Sequence, residues 1–249
     1  MSEPKRVTAG MLVIGDEILS GRTKDQNIGT VADFCSDLNI ELCEARIVAD
    51  EPEDIVSALN TLRERYTYVF TTGGIGPTHD DITADAVANA FGVELKVDDR
   101  AIKAMQDRFV DYPMNEGRLR MARIPVGGEL IANVVSGAPG IHIENVFVMA
   151  GVPKVMQCML EAIAPTLETG IEVFSRSCDS QAGESSLSEA LTELQNVYPT
   201  VKIGSYPQMG TDKYMTQIVL RSSDKALLEE ATVKVQAIID AATQNKLKI

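Results

Sequence analysis

Over its first two thirds the chain alternates short apolar runs with amphipathic ones, and that alternation is the strongest constraint on its fold. VTAGMLVIG (7–15), IELCEARIV (40–48), YTYVF (66–70) and VFVMAG (146–151) have the length and the β-branched or aromatic content of strands. Between them lie stretches of helical period. DQNIGTVADFCSDLN (25–39) sets Ile28, Val31, Ala32, Cys35 and Leu38 on one face, and EPEDIVSALNTLRER (51–65) carries Pro52 in its first turn. Further helices are predicted over ADAVANAFG (84–92), closed by Gly92, over DDRAIKAMQDRF (98–109) within a less regular stretch at 93–131, and over 153–167. Strands separated by crossover helices pair in parallel, with both faces of the sheet covered. A doubly wound α/β domain is therefore expected over residues 1–168.

Near Glu168–Gly170 the pattern changes. IEVFSRS reads as a strand, GESSLSEALTEL as a helix, TVKIGSY and KYMTQIVLRS as two strands, and 223–243 as a last helix. Residues 169–249 are thus expected to form a small α+β domain.

The strand at 66–70 leads into TTGGIGPTHDDIT (71–83), which raises the functional question. Ligands of parallel sheets bind at the carboxyl ends of the strands, where such loops lie. Gly73, Gly74 and Gly76 let the backbone approach a ligand and adopt positive φ, and Pro77 and Thr78 continue the loop. Bare N–H groups ahead of a helix N-terminus make an anion seat. Asp80 and Asp81 allow two readings. They cap and polarise the following helix, or they hold a divalent cation such as Mg²⁺ against ligand phosphates. The loop is neither a Walker A motif, since no Gly-Lys-Ser/Thr follows, nor G-x-G-x-x-G, since His79 occupies the third place after Gly76.

Three more glycine loops sit at expected strand ends or nearby. VIGDEILSGRTKDQN offers Gly15, Asp16, Glu17 and Asn27; SGAPG offers Gly137, Ala138, Pro139 and Gly140; AGVP offers Gly151 and Pro153. Such loops would converge on one crevice, so a binding site is expected there.

Composition narrows the ligand. The 249 residues include 36 acids against 23 Lys and Arg, a formal net charge of −13. Such a field repels a nucleic-acid backbone, which is not expected as a partner, and a phosphorylated ligand must be held by local donors or a metal. Cys35, Cys43, Cys158 and Cys178 show no CxxC spacing and read as reduced thiols. The apolar run at 7–15 ends at two acids and is too short to cross a bilayer. No membrane association is expected, and the location expected is cytoplasmic.

GDEILSG, TTGGIGPTHDDIT, SGAPG and AGVP, in this order and spacing, resemble the molybdopterin-binding (MoaB/Mog-type) domain. They are closest to its branch found in competence/damage-inducible protein A and at the N-terminus of eukaryotic FAD synthases. GESSLSEAL and KIGSYPQMGTDKYMTQIVLRSSD are similar to the small second domain of that branch. The resemblance covers essentially the whole chain and implies a three-layer α/β/α fold, with assembly as a homodimer or homotrimer. It also implies a nucleotide or pterin ligand. Mog-type enzymes adenylylate molybdopterin with Mg-ATP. The competence-protein branch is linked to metal-dependent hydrolysis of nucleotide diphosphates such as ADP-ribose, and the FAD synthase domain to FAD hydrolysis. Carried over by position, Asp80 or Asp81 matches the acidic catalytic or metal residue. Gly73, Gly74 and Gly76 match the phosphate-facing loop, and Asp16 and Glu17 the acidic turn.

The expected activity is metal-dependent cleavage of a nucleotide diphosphate. Adenylyl transfer to molybdopterin, or binding without turnover, are the alternatives. The amidohydrolase domain of the full competence protein and the synthesis domain of the eukaryotic fusion have no counterpart in these residues, so neither deamidation nor FAD synthesis is expected of them. Among the remaining polar groups, His79 lies in the loop, and Arg118, Arg120 and Arg123 in EGRLRMARIP are candidate phosphate contacts. Lys154 is a further candidate at a helix start, and His142, in an alternating apolar stretch, reads as structural.

Overall fold

The structure is a computed structural model describing residues 6–108, 113–209 and 214–246; Phe109 and Lys213, at the ends of two expected elements, lie outside the described residues. The chain divides into two compact units, 1–170 and 171–249.

In the first unit a six-stranded sheet has the order β2-β1-β3-β8-β7-β6. Its parallel part comprises β1 (Thr8–Ile14), β2 (Glu41–Val48), β3 (Tyr68–Thr72) and β8 (Val146–Met149). β6 (Glu129–Ile131) and β7 (Gly140–Ile143) add an antiparallel edge beside β8. Of this antiparallel edge β6 ends the stretch left irregular by the sequence and β7 lies beyond it; strands of three and four residues leave too few positions to show a period.

Alternation along β1 shows how the layers form. Leu12 and Ile14 face one buried cluster with Ile55, Leu59 and Leu62 of α3 (Pro52–Arg65) and Val87 of α4 (Thr83–Phe91). Met11 and Val13 face the other, with Val31 of α2 (Asn27–Asp37) and Met156 and Leu160 of α7 (Pro153–Ile163). Both faces are covered, which is why the strand is apolar at consecutive positions rather than at alternate ones. Phe70 at the centre is fully buried, and its truncation to Ala would cost about 3–5 kcal/mol. α4 stops where Gly92 takes a left-handed conformation, φ 65°, as the sequence suggested.

Four short elements escaped the sequence pattern: α1 (Asp16–Leu19), the paired strands β4 (Leu95–Val97) and β5 (Arg123–Pro125), and α6 (Glu116–Met121). α5 (Asp99–Arg108) precedes α6. The second unit runs β9 (Phe174–Ser180), α8 (Glu184–Val197), β10 (Lys202–Met209), β11 (Tyr214–Ser222) and α9 (Lys225–Lys246). Its antiparallel sheet, β10-β11-β9, buries Cys178, Ile218 and Leu220 against Leu187 of α8 and Leu228 and Val235 of α9.

Candidate functional site

β1 lies between β2 and β3, so the connections leaving β1 and β3 diverge on either side of a switch in strand order. At such a point the loops at the carboxyl ends leave a crevice. The backbones there are close. A methyl group on Gly73 (φ 104°) would fall 2.0 Å from the Ile14 carbonyl oxygen at the end of β1, and one on Gly151 3.3 Å from Gly73 Cα. Gly73 N–H donates to Met149 O at 3.1 Å, and Asn27 Nδ2, at the start of α2, donates to Gly151 O at 2.8 Å. Three of the expected loops, after β1, β3 and β8, therefore meet.

The two acids of the glycine loop have different surroundings. Neither caps the helix: α4 begins at Thr83 behind Ile82, and no side chain caps it. Asp81 turns back into its own loop, where Oδ1 accepts Gly76 N–H at 2.7 Å, and Oδ2 accepts Thr78 N–H at 2.8 Å and Thr78 Oγ1–H at 2.6 Å. It is the clamp that shapes the loop. Asp80 projects outward, its side chain 69% exposed and 4.0 Å from that of His79, which is itself 96% exposed. The Thr78 hydroxyl and then the residue's own backbone hold the Asp80 carboxyl below the usual carboxylate range, so it stays charged.

The loop's N–H groups also divide. Those of Gly73, Gly76 and Thr78 are used internally, while those of Gly74 and Ile75 have no partner among the described residues. Gly74, Ile75 and Gly76 line one small cleft with Asp81, Pro139, Arg120 and Arg123. Arg123 is held bidentately by Asp85 at 2.8 and 2.7 Å, leaving Arg120 as the cation of that cleft without such a clamp. Thr83, buried and missed by the sequence reading, ties helix to loop. Its hydroxyl donates to Gly73 O at 2.9 Å and its N–H to Gly74 O at 3.0 Å.

A second residue missed was Asp50, which follows β2. Its carboxylate accepts Asp16 N–H at 2.9 Å, and its own N–H reaches Asp16 Oδ1 at 3.4 Å. Burial, followed by the charges of Asp16, Glu17 and Asp80, raises its pKa above the usual carboxylate value. An acid two residues past a strand and two ahead of a helix-starting proline was the available signal.

The remaining expected positions have packing reasons for their residue types. Gly15 is buried and donates to Val48 O at 3.2 Å. A methyl on Gly137 (φ 76°) would meet Arg108 Cβ at 2.9 Å, and one on Gly140 the Val148 carbonyl oxygen at 2.6 Å. Ala138 packs on the sheet, and Pro153 opens α7 with exposed Lys154 beside it. His142 stacks on Phe147, ring centroids 4.2 Å apart, with Nε2 2.8 Å from Glu144 O.

The donor set bears on Mg²⁺. Among the described residues no group of three or more His, Cys, Asp or Glu side chains converges to hold a metal. A small hard cation, however, keeps several waters and needs only one or two protein carboxylates beside ligand phosphates. Asp80, exposed and ionised, with Asp50 within reach of its field, fits that limited role. Among the described residues no helix is long and apolar enough to cross a membrane.

Residues 10–169 match the family model described as "Probable molybdopterin binding domain", and residues 172–247 match "FAD synthase, middle domain". A protein of Aeropyrum pernix is 34% identical, the match covering 90% of this chain and 87% of that one. One of Thermococcus kodakarensis is 33% identical over 89% and 93%. The "Probable FAD synthase" of Caenorhabditis elegans is 26% identical over 95% of this chain and half of its own. Among solved structures, CinA from Thermoplasma acidophilum, described as of unknown function, superposes with a TM-score of 0.61 at 30% identity, covering 65% of this chain and 98% of that one. With the parallel sheet and the GGIGPTHDDIT loop, these matches make the chain a member of the molybdopterin-binding domain family in its CinA-like form, joined to a second unit of the FAD synthase middle-domain type.

Proposed function

We propose that the chain is a Mg²⁺-assisted hydrolase of a nucleotide diphosphate of the ADP-ribose or FAD kind. The observation that carries the reading is the cleft beside the glycine loop. In a protein of net charge −13 it is lined by Arg120 and by Gly74 and Ile75, whose N–H groups are unspent, and the only carboxylate among its described lining residues, Asp81, is already engaged by three donors. That is an anion seat built against the global field.

Cleavage of a phosphoanhydride builds charge on phosphoryl oxygens, and donors fixed in advance lower the barrier because they need no reorganisation. Gly74, Ile75 and Arg120 supply those donors. Mg²⁺, carried by Asp80 with ligand phosphate oxygens, would add Lewis-acid neutralisation of the same charge. Asp50, whose raised pKa makes its carboxylate a stronger base than usual, is the group suited to take the proton of the attacking water.

The test is incubation with ADP-ribose, FAD or ATP and Mg²⁺, reading AMP by chromatography. AMP from ADP-ribose or FAD, suppressed by excess chelator, is the expected result. Full activity in chelator would remove the metal from the mechanism, and no AMP from any of the three would reject hydrolysis. The family description favours one second reading, a pterin ligand. AMP transfer from ATP that appears only when molybdopterin is added would support it.

A further inference from the structure

Beside the anion cleft lies a second one of about 370 Å³, within the size range of small-ligand pockets, whose chemistry differs. Its walls are Met105 of α5, Met114, and Met121 and Arg118 of α6, with Asn115 and Ser136 at the rim. Met121 lines both clefts, and Pro77, which follows Gly76 of the anion cleft, lines this one. The two are therefore neighbouring compartments along the glycine loop.

We propose that this second cleft receives the flat heteroaromatic ring of the ligand whose phosphates sit at Gly74, Ile75 and Arg120, a proposal that rests on the anion-seat reading above. Three unbranched thioether side chains conform to an apolar ring face and make favourable sulfur–ring contacts. The Arg118 guanidinium at the wall, one nitrogen of which donates to Pro113 O, suits the π-face of a ring. Among the described residues no Asp or Glu lines the cleft. The rim is polar in a specific sense. Asn115 Oδ1 is occupied by Arg118 N–H at 3.0 Å, so what its side chain has to offer a ring acceptor is the amide donor. Ser136 Oγ accepts from Asn133 Nδ2 at 2.6 Å and keeps its own proton to donate. Ring nitrogens and carbonyls thus find donors at the rim and apolar contact inside.

The wall between the compartments depends on Gly117. A methyl there would stand 3.1 Å from Pro77 O and 3.2 Å from Pro77 Cβ, so the missing side chain lets α6 lie directly on the loop. This places Arg118 on the ring side and Arg120 on the phosphate side of one short helix.

The experiment compares AMP, FMN and ribose 5-phosphate binding to the full chain with Mg²⁺ by calorimetry. Wild type should bind AMP or FMN at least about tenfold more tightly than ribose 5-phosphate, a difference of about 1.4 kcal/mol; the tighter of the two identifies the ring. Met114→Trp and, separately, Ser136→Trp fill the cleft. Each should bring the ringed ligands down to the ribose 5-phosphate level while that ligand's affinity stays within about twofold, with folding checked by thermal unfolding. Ribose 5-phosphate binding as tightly as AMP and FMN in wild type overturns the ring cleft alone. So does a ring preference that survives both variants. Absence of binding by all three overturns the anion seat as well.

Discussion

The loops at 73–81 and 133–140 look alike in the sequence, both rich in glycine, and each is stapled by one side chain. In the second, Asn133 is buried and wholly engaged. Oδ1 accepts Val135 and Ser136 N–H at 3.0 and 3.1 Å, and Nδ2 donates to Ser136 Oγ and Ala138 O at 2.6 and 2.8 Å. In the first, the staple is the charged Asp81, and the N–H groups of Gly74 and Ile75 and a neighbouring carboxylate are left over. Loop shape is thus a structural requirement in both; ligand chemistry comes from what the staple leaves unused.

The largest expected effect tests shape in both loops. Gly73→Ala and Gly140→Ala each drive a methyl into a backbone carbonyl, at 2.0 and 2.6 Å. Each should cost about 4 kcal/mol or more of stability, read by denaturant unfolding. A Gly140→Ala protein that folded normally but lost ribose 5-phosphate affinity would give 133–140 a part in holding the anion and erase the contrast.

The two acids of the first loop should separate next. Asp80→Asn should lower turnover of the hydrolysed substrate about a hundredfold, equivalent to about 2.7 kcal/mol of barrier, with the melting temperature within about 2 °C. Asp81→Ala removes the charged acceptor of three donors. It should cost about 2–4 kcal/mol of stability, lowering the melting temperature by about 5–15 °C. Equal melting temperatures for the two variants would deny Asp81 its clamping role.

Smaller again is Arg120→Ala, expected to weaken ribose 5-phosphate binding about tenfold, with a shallower salt dependence than wild type. Arg123→Ala should instead release Asp85 and leave that salt dependence unchanged. Equal loss of salt dependence in both would assign the anion to the pair.

The smallest effect on stability concerns Asp50. Its pKa is raised in the fold, so the native state binds its proton more tightly than the unfolded chain does. The resulting cost is absent below the unfolded carboxylate value and sets in as pH rises through the raised native one. Asp50→Asn should therefore increase the melting temperature by about 1–3 °C at pH 7, with the gain disappearing toward pH 3. A gain that grew on acidification would reverse this sign and remove the account from burial and like charge.

What the sequence determined by itself was the set of strong periods. The apolar strands at 7–15, 40–48, 66–70 and 146–151 and the helices between them imposed a parallel sheet with two covered faces, because each element had to bury its apolar side. Gly92 as a helix stop and the convergence of glycine loops were legible for the same local reasons. What only the tertiary structure decided was the direction of each polar group. Asp80 and Asp81 are adjacent in the chain, yet one faces solvent and the other its own loop, because Gly73 and Gly74 take positive φ and fold the loop back over Thr83. Asp50 enters the acidic turn only through the β1–β2 pairing, and Arg120 reaches the glycine loop only because Gly117 lets α6 lie against Pro77. Period is set by neighbours along the chain; the direction of a charge is set by contacts that close across 34 residues from Asp16 to Asp50, a separation at which no local propensity acts.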